Sequence, residues 1–428
     1  MKKYFRDLPD EIKSLISSAE DVSGETGMPV YLVGGFPRDL ILGVKDWDID
    51  MTVEGDGIKF AEALSARLGC RMVRHERFGT ATLNFGHCVK LDIATARKEV
   101  YPRCAALPVV SPGSLKEDLF RRDFTINAMA VRISGDKGYE LIDIFGGRKD
   151  LAAGRIRVLH EMSFIDDPTR ILRGIRFQQR YAFRFEPKTL ALLKKAVRSG
   201  VLEKVHPHRM RDELMLMFRE KNPSGQLKRL CALCGLSFVS GGIKPCAKLY
   251  SMFNAVSSEV VRFMKAFPFH GEFDVWIIYL AVLLNPLSGI QAKEVMRKLG
   301  LSRRQAVKLA GCLKVDRELV DSLRDRRISP AQVFALLKPL SYEAIILLLA
   351  SSRDKTVKKH VSDFLKVYNC LRLCISGDDL YKLGVSPGPR YQKILSEVLA
   401  ARLNGKVKDR RGELSLVRKM LKTDNKGV

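Results

Sequence analysis

The chain has 428 residues, too many for one ordinary core, so two to four domains are expected. Its 46% hydrophobic and 29% charged content excludes wholesale disorder, and no uninterrupted apolar run reaches the roughly 18 residues of a membrane span. With 74 Lys and Arg against 48 Asp and Glu, the formal charge is +26; such a field attracts polyanions, nucleic acid the commonest, and a merely solvated basic surface is the alternative.

The chain opens on "MKKYFRDLPDEIKSLI", an amphipathic helix carrying acids. It supports neither a secretory nor a transit signal, so a cytoplasmic protein is expected. Short β-branched runs follow up to about residue 150, among them "MPVYLVGG", "ATLNFGHCVKLDIAT" and "NAMAVRI", broken by glycines; they predict an α/β domain with a small sheet. Beyond "IDIFGGRKDLAAGRIRVL" the periodicity becomes helical, and residues 166–428 read as an all-helical array. Its breaks fall at "EKNPSG", "VSGGIKP", "LNPLSG", "RRISP", "CISGDD" and "VSPGP". "FDVWIIYLAVLLNPL" reads as a buried helix of that array. Nine cysteines are scattered singly except for "CALC" at Cys231 to Cys234; with no second pair at zinc-ribbon spacing, they read as reduced thiols. The last 28 residues hold nine Lys or Arg against three acids, either a phosphate-binding face or a solvated helix end.

Against this basic background, "YLVGGFPRDLILGVKDWDID" concentrates acid. In a strand, alternation puts Asp46, Asp48 and Asp50 on one face and Trp47, Ile49 and Met51 on the other. Three like charges on one face require neutralisation, which a Mg²⁺ pair would supply because hard cations take carboxylate oxygens and leave positions for phosphate. A polar strand edge in solvent is the plain alternative. Upstream, the paired glycines let backbone N–H groups approach an anion, "RDLILG" reads as the first turns of a helix, and Arg38 can reach a phosphate bidentately. A phosphate-cradling turn, a helix and a carboxylate strand suit in-line transfer of a nucleotidyl group.

Further along, "SFIDDPTRILRGIRFQQRYAF" begins a helix on plain grounds, Asp167 capping and Pro168 suiting the first position. Ile171, Leu172 and Ile175 form an apolar stripe. On the opposite side Arg170, Arg173 and Arg176 fan over an arc of about 120° and will seek phosphate or carboxylate.

These residues resemble the tRNA nucleotidyltransferase and poly(A) polymerase family, class II of the DNA polymerase beta superfamily. "GGFPRDLILGVKDWDID" is similar to its G-G-x-V-R-D-x-L-L-G signature followed by D-x-D, with Pro37 in place of a valine. "EDLFRRDFTINAMAV" resembles R-R-D-x-x-x-N-A, and "DDPTRILRGIRF" resembles E-D-x-x-R-x-L-R-x-x-R-F, with Asp166 for the glutamate and Gly174 for a common alanine. The resemblance implies an α/β nucleotidyltransferase head with a small mixed sheet, followed by an all-α neck, body and tail. The expected divisions are a catalytic head over 1–150, a neck with a base-selecting helix over 151–220, a body over 221–340 and a basic, tRNA-binding tail over 341–428.

By the same resemblance Asp48 and Asp50 are the catalytic metal ligands for Mg²⁺, and Asp46 stays unassigned. Gly35, Arg38 and Arg122 take the nucleotide with Asp167, Arg170, Arg173 and Arg176, Asp167 and Arg170 reading the edge of a C or A base. Asp123 and Asn127 hold the local backbone. Asp92, in "LDIATARKE", is either a third carboxylate or a sheet-edge aspartate. "IDIFGGRKDL" is similar to the head–neck hinge, "VHPHRMRDELMLMF" to the neck helix that follows the base-selecting one, and "SGDDLYKLGVSPGPRYQKIL" to a tail that would hold a tRNA phosphate.

The implied activity is template-independent addition of CMP and/or AMP, from CTP and ATP, to the 3′ end of tRNA. The absence of a histidine-containing stretch typical of bacterial poly(A) polymerases favours a tRNA enzyme. "KEVYPRCAALPVVSPG" occupies the loop that switches C to A, and with "DDPTR" it is similar to the group that includes A-adding enzymes. CC-adding and poly(A) activities remain as alternatives, as does a non-catalytic RNA-binding protein.

Overall fold

The computed structural model describes residues 1–45, 48–76, 79–85, 89–133, 139–268 and 273–424. Asp46 and Trp47, part of the expected acidic strand, lie outside the described residues. The chain divides into two compact units, Met1–Phe238 and Val239–Val428.

The first unit begins with α1 (Lys2–Arg6) and α2 (Asp10–Thr26), followed by β1 (Val30–Val33), α3 (Gly35–Leu42), β2 (Ile49–Val53), α4 (Gly57–Leu68), β3 (Arg71–His75), β4 (Thr80–Phe85) and β5 (Val89–Thr95). A hairpin of β6 (Arg97–Val100) and β7 (Val109–Pro112) leads to α5 (Leu115–Phe120), a 3₁₀ turn (Thr125–Asn127), β8 (Ala130–Ile133), β9 (Glu140–Ile142) and α6 (Gly147–Ala152). Seven strands form one sheet in the order β3-β4-β5-β2-β1-β8-β9, mixed because β2 and β5 run parallel while the other neighbours are antiparallel. The expected small mixed sheet is therefore present.

Alternation explains its two faces. Ile49, Met51 and Val53 point into a core with Leu32, Phe60, Leu64, Leu83 and Ile93, closed by Ile12, Leu15 and Ile16 of α2. Asp50 therefore points to the opposite face, and its in-register neighbour on parallel β5 is Asp92. The strand starts at Ile49, so Asp48 is an exposed residue just before it.

At "IDIFGG" the chain turns through Gly146, at φ 75°, into α6. Gly147 lies so close to the 3₁₀ turn that a Cβ would sit 2.2 Å from the Thr125 carbonyl oxygen. The rest of the unit is β10 (Arg155–Ile156), α7 (Ser163–Asp166), α8 (Thr169–Tyr181), β11 (Arg184–Phe185), α9 (Pro187–Arg198), α10 (Pro207–Phe218) and α11 (Pro223–Cys234).

The second unit is helical, from α12 (Ala247–Ala266) through α13 (Val275–Leu284), α14 (Gly289–Lys298), α15 (Arg303–Leu313), α16 (Arg317–Arg324), α17 (Pro330–Leu337), α18 (Tyr342–Ser351), α19 (Lys355–Lys366) and α20 (Gly377–Lys382) to α21 (Pro389–Leu403) and α22 (Arg410–Asp424). The punctuation read in the sequence becomes helix starts: Ser288, Ser329 and Ser376 cap α14, α17 and α20 with their side chains, and Pro330 and Pro389 occupy first-turn positions. Trp276 to Leu284 of α13 are all buried, as expected for a core helix. Among the described residues no single helix is long and apolar enough to cross a membrane.

Candidate functional site

A cleft of about 500 Å³ in the first unit brings together the nine residues expected to bind nucleotide or metal, Gly35, Arg38, Asp48, Asp50, Arg122, Asp167, Arg170, Arg173 and Arg176, while Asp92 does not line it. They come from the start of α3, from β2 and the residue before it, from the turn just after α5, and from α8 and the turn leading into it.

The carboxylate side is built by β2. Burial pushes the Asp50 carboxyl up to about 6; Arg122 pulls it down, while Asp48 and Asp92 add to the rise. Asp92 is engaged by Thr82, whose hydroxyl donates to Oδ1 at 2.6 Å, and by Lys90, whose Nζ donates to Oδ2 at 2.5 Å. Among the described residues no three His, Cys, Asp or Glu side chains converge as a ready-made cage. A paired carboxylate site of hard oxygen donors, completed by phosphate and water, is the type of site Mg²⁺ uses.

The glycine turn differs in detail from the expectation placed on Gly35. The residue that must be glycine here is Gly34, at φ 72° and ψ −125°, where a Cβ would lie 3.0 Å from Asp50 Oδ2 and 3.1 Å from Arg122 Nη1. Pro37 is accommodated: it is the third residue of α3, where the backbone N–H of an ordinary residue has no intrahelical partner.

Arg38 faces the cleft but is already held. Its Nε donates to Asp39 Oδ1 at 2.9 Å, Nη2 donates to Asp39 Oδ2 at 2.6 Å, and Nη1 donates to Asn127 Oδ1 at 2.5 Å. The guanidinium also lies 5.3 Å and 5.1 Å from the ring centroids of Phe177 and Tyr181. The bidentate fork expected to meet a phosphate is thus spent on Asp39, itself fixed by the Tyr181 hydroxyl at 3.0 Å.

The arginine face of α8 is closed rather than open. Arg170 and Arg176 are 4% and 5% exposed. Arg170 donates to Ser163 Oγ at 2.7 Å and to the Arg121 carbonyl oxygen at 2.6 Å. Arg173 donates to Asp123 at 2.8 Å and to Glu213 at 3.4 Å, and Arg176 reaches Glu213 at 3.4 Å. Carboxylates of the head and of α10 therefore pair Arg173 and Arg176, one of the two partners the stripe's chemistry called for, whereas Arg170 is held by a hydroxyl and a carbonyl oxygen. Asp123 accepts from Asn127 Nδ2 and from the Phe124 N–H, knitting the local backbone as expected and gripping α8 as well. Asp167 accepts from Thr169 N at 3.1 Å and Thr169 Oγ1 at 2.6 Å and so ties down the first residue of α8, while the N-cap position expected for it is held by Pro168, one residue earlier in the helix than the sequence placed that proline; Arg170 Nε stands 4.0 Å away.

Three contributors escaped the sequence reading. Asp118, fully buried, accepts from Arg121 at 2.8 and 3.1 Å and from Arg122 at 2.9 Å. Its signal was the spacing of three and four residues to the two arginines that follow the helix end. Arg209 of α10 donates to Asp167 Oδ2 at 2.7 Å, across 42 positions that no local pattern connects. Glu99 of β6 accepts from Arg121 and from the Tyr101 hydroxyl, both at 2.9 Å. The Nε groups of Arg122 and Arg176 are buried without a hydrogen-bond partner, so donor capacity remains beside the cleft.

A seven-stranded mixed sheet that delivers paired carboxylates to an arginine-lined cleft is the architecture of a nucleotidyltransferase head. Residues 30–157 match the Poly A polymerase head domain. The A-adding tRNA nucleotidyltransferase of Geobacter sulfurreducens is 36% identical over 96% of this chain, which spans about half of that relative's length, 47%. The A-adding tRNA nucleotidyltransferase of Halalkalibacterium halodurans is 31% identical, over 96% of this chain and 93% of its own. The Thermotoga maritima CCA-adding enzyme complexed with tRNA is 34% identical, with a TM-score of 0.73 over 98% of both chains. The chain belongs to the tRNA nucleotidyltransferase and poly(A) polymerase family.

Proposed function

We propose that this chain is a template-independent tRNA 3′-end nucleotidyltransferase that adds CMP and/or AMP from CTP and ATP. The observation that carries the reading is the single cleft in which Asp48 and Asp50 face Arg122, Asp167, Arg170, Arg173 and Arg176. The acceptor's 3′-oxygen forms a bond to the α-phosphorus, the bond from that phosphorus to the bridging oxygen breaks, pyrophosphate leaves with the bonding electron pair, and the hydroxyl proton passes to solvent water. Arg122, held by Asp118 and with a buried Nε to spare, orients the triphosphate. Asp167 accepts from the exocyclic amine of C or A and Arg170 donates to a ring acceptor, a pattern that U and G do not match. Arg173 and Arg176 fix the helix that presents this pair, and Gly35 and Arg38 line the α3 side of the nucleotide site.

Asp48 and Asp50 would hold Mg²⁺. Bound there, it would neutralise triphosphate charge and acidify the attacking hydroxyl. In this reading residues 1–150 are the catalytic head, 151–220 the neck, 221–340 the body and 341–428 a basic tail on tRNA. The unpaired state of the described cysteines supports a cytoplasmic setting.

The test offers purified protein three tRNAs, ending at the discriminator base, at C and at CC, with CTP alone, ATP alone or both. Stepwise extension that stops after the terminal A is expected; no incorporation on any of the three refutes the reading, and a long A ladder points to poly(A) synthesis. The narrower reading, addition of the terminal A only, is favoured by the name shared by the two relatives above. It predicts extension of the CC-ended tRNA alone. Arg170→Ala should shrink the preference for CTP and ATP over UTP and GTP by about 1–3 kcal/mol, and unchanged ratios of kcat/KM would remove Arg170 from base selection.

A further inference from the structure

Two aromatic side chains line the cleft of the first unit, Phe177 and Tyr101, and they differ in what covers them. The Phe177 ring is clad in guanidinium: Arg38, Arg173 and Arg176 stand 5.3, 5.5 and 5.0 Å from its centroid. Tyr101 is half-buried, and among the described residues neither a second ring nor a cation lies over its face. The cleft thus holds one aromatic face that its own side chains leave uncovered.

The chain around Tyr101 fixes that face in place. β6 and β7 pair from Arg97 opposite Pro112 to Val100 opposite Val109, so Tyr101 and Pro108 stand just beyond the end of the ladder, and both line the cleft. Glu99 accepts from the Tyr101 hydroxyl at 2.9 Å and from Arg121 at 2.9 Å, and the Arg121 carbonyl oxygen receives Arg170 Nη2 at 2.6 Å. Between Tyr101 and Pro108 the loop is fastened a second time. Buried Ala105, at φ 60°, donates its N–H to the Ile165 carbonyl oxygen at 3.3 Å, two residues before Asp167. A left-handed alanine is strained and persists only where its surroundings hold it. Both anchors therefore run to the residues that carry Asp167 and Arg170.

Electrostatics set the ring beside the same pair. Burial pushes the Tyr101 phenol well above its ordinary value and Glu99 adds to the rise; Arg170 pulls it down, and Asp167 raises it further. The side chain is accordingly a neutral ring with a donating hydroxyl, and the two groups that would read a base edge are among the charges acting on it. Proteins hold a nucleobase in this way, reading its edge in plane by hydrogen bonds and covering its flat face with an aromatic ring.

We propose that Tyr101 is the stacking platform for the base of the incoming nucleotide, its ring lying against the face of the base whose edge Asp167 and Arg170 read; this rests on the nucleotidyl-transfer reading above. The division of labour follows from the chemistry. Edge contacts distinguish one base from another, whereas stacking accepts every base and supplies affinity, because each has a π-face. Glu99 is then a positioning residue, since it touches the hydroxyl of the platform and not the nucleotide.

The test compares Tyr101→Leu and Tyr101→Phe with the wild type in AMP incorporation into CC-ended tRNA. Tyr101→Leu keeps apolar bulk and removes the aromatic face; it should raise the KM for ATP by about 5–150-fold, the scale of one base stacked on one ring, with the KM for tRNA unchanged. Tyr101→Phe keeps the ring without the hydroxyl and should restore most of that loss. An unchanged KM for ATP in Tyr101→Leu overturns the proposal. Equal damage in both variants overturns it too, by assigning the effect to the Glu99 hydrogen bond. A rise confined to the KM for tRNA would set the ring against the acceptor's terminal base, with the same consequence. Tyr101→Trp supplies a measurement independent of whether Tyr101→Leu folds: ATP should quench its indole emission beyond any quenching in the wild type, and equal quenching overturns the proposal. All these failures leave the nucleotidyl-transfer reading intact; a wild type that incorporates nucleotide into no tRNA overturns both.

Discussion

Asp50→Asn is expected to reduce incorporation of CMP and AMP by at least about 10²–10³-fold, the scale of losing one preorganised charge-stabilising group, while tRNA affinity changes little. The substitution keeps the shape of a residue that the sheet places to within its hydrogen-bonding register, with Met51 and Ile49 still buried beneath it. It removes the charge that the cleft has concentrated. In the free protein burial raises the Asp50 carboxyl to about 6, with Asp48 and Asp92 contributing, so the site already strains against its own negative charge. An asparagine relieves that strain. The variant should therefore fold at least as stably as the wild type, and the paired readouts, thermal melting and single-turnover incorporation, separate loss of chemistry from loss of fold. Activity within tenfold of wild type would remove Asp50 from the proposed chemistry. Asp48→Asn supplies a second measurement on a residue that is exposed and carries no core packing.

Much of this head was legible because its signals are local. "VYLV" must bury its apolar residues, and β2 shows period-2 alternation over Ile49, Asp50 and Met51, which the fold realises as one core face and one cleft face. Proline and serine punctuation located the starts of α14, α17, α20 and α21 for the same reason: capping and first-turn geometry are settled within four residues. What local patterns do not carry is the partner of a charge. The three arginines of α8 form a stripe on the helical wheel, but whether that stripe meets phosphate or carboxylate depends on Asp123, 50 positions upstream of Arg173, and on Glu213, 40 positions downstream. Arg38 shows the same limit: Asp39 is adjacent in sequence, yet nothing local tells that the two pair bidentately, with Asn127 on the guanidinium and Tyr181 on Asp39. Gly34 and Gly35 show the finer limit. Both stand in the motif, and only the approach of Asp50 and Arg122 tells which of them could not carry a side chain.

Asp118→Ala should destabilise the first unit by about 3–5 kcal/mol, lowering its melting temperature by roughly 6–20 °C, because it strands two arginines at a buried site. Asp118 is fully buried and is the common acceptor for Arg121 and Arg122. Burial alone would raise its carboxyl; the Arg122 and Arg121 charges, with their hydrogen bonds, outweigh that and hold it below the ordinary carboxylate range. A folded-state value below the unfolded one means that the stabilisation is present above about pH 4 and is lost as acid protonates the folded carboxyl. The deficit of the milder variant Asp118→Asn against wild type should accordingly be full at neutral pH and shrink below about pH 4. A constant deficit across that range would show that packing, not charge, sets the effect. The same residue links stability to the proposed activity. Arg122 Nη2 is fixed by Asp118, and the Arg121 carbonyl receives Arg170 Nη2 at 2.6 Å, so releasing α5 loosens both the triphosphate contact and the base-reading helix. In Asp118→Asn, assayed well below its melting temperature, kcat should fall and discrimination among the four nucleotides should narrow together. A fall in kcat with discrimination intact would confine Asp118 to Arg122 and cut the link to Arg170.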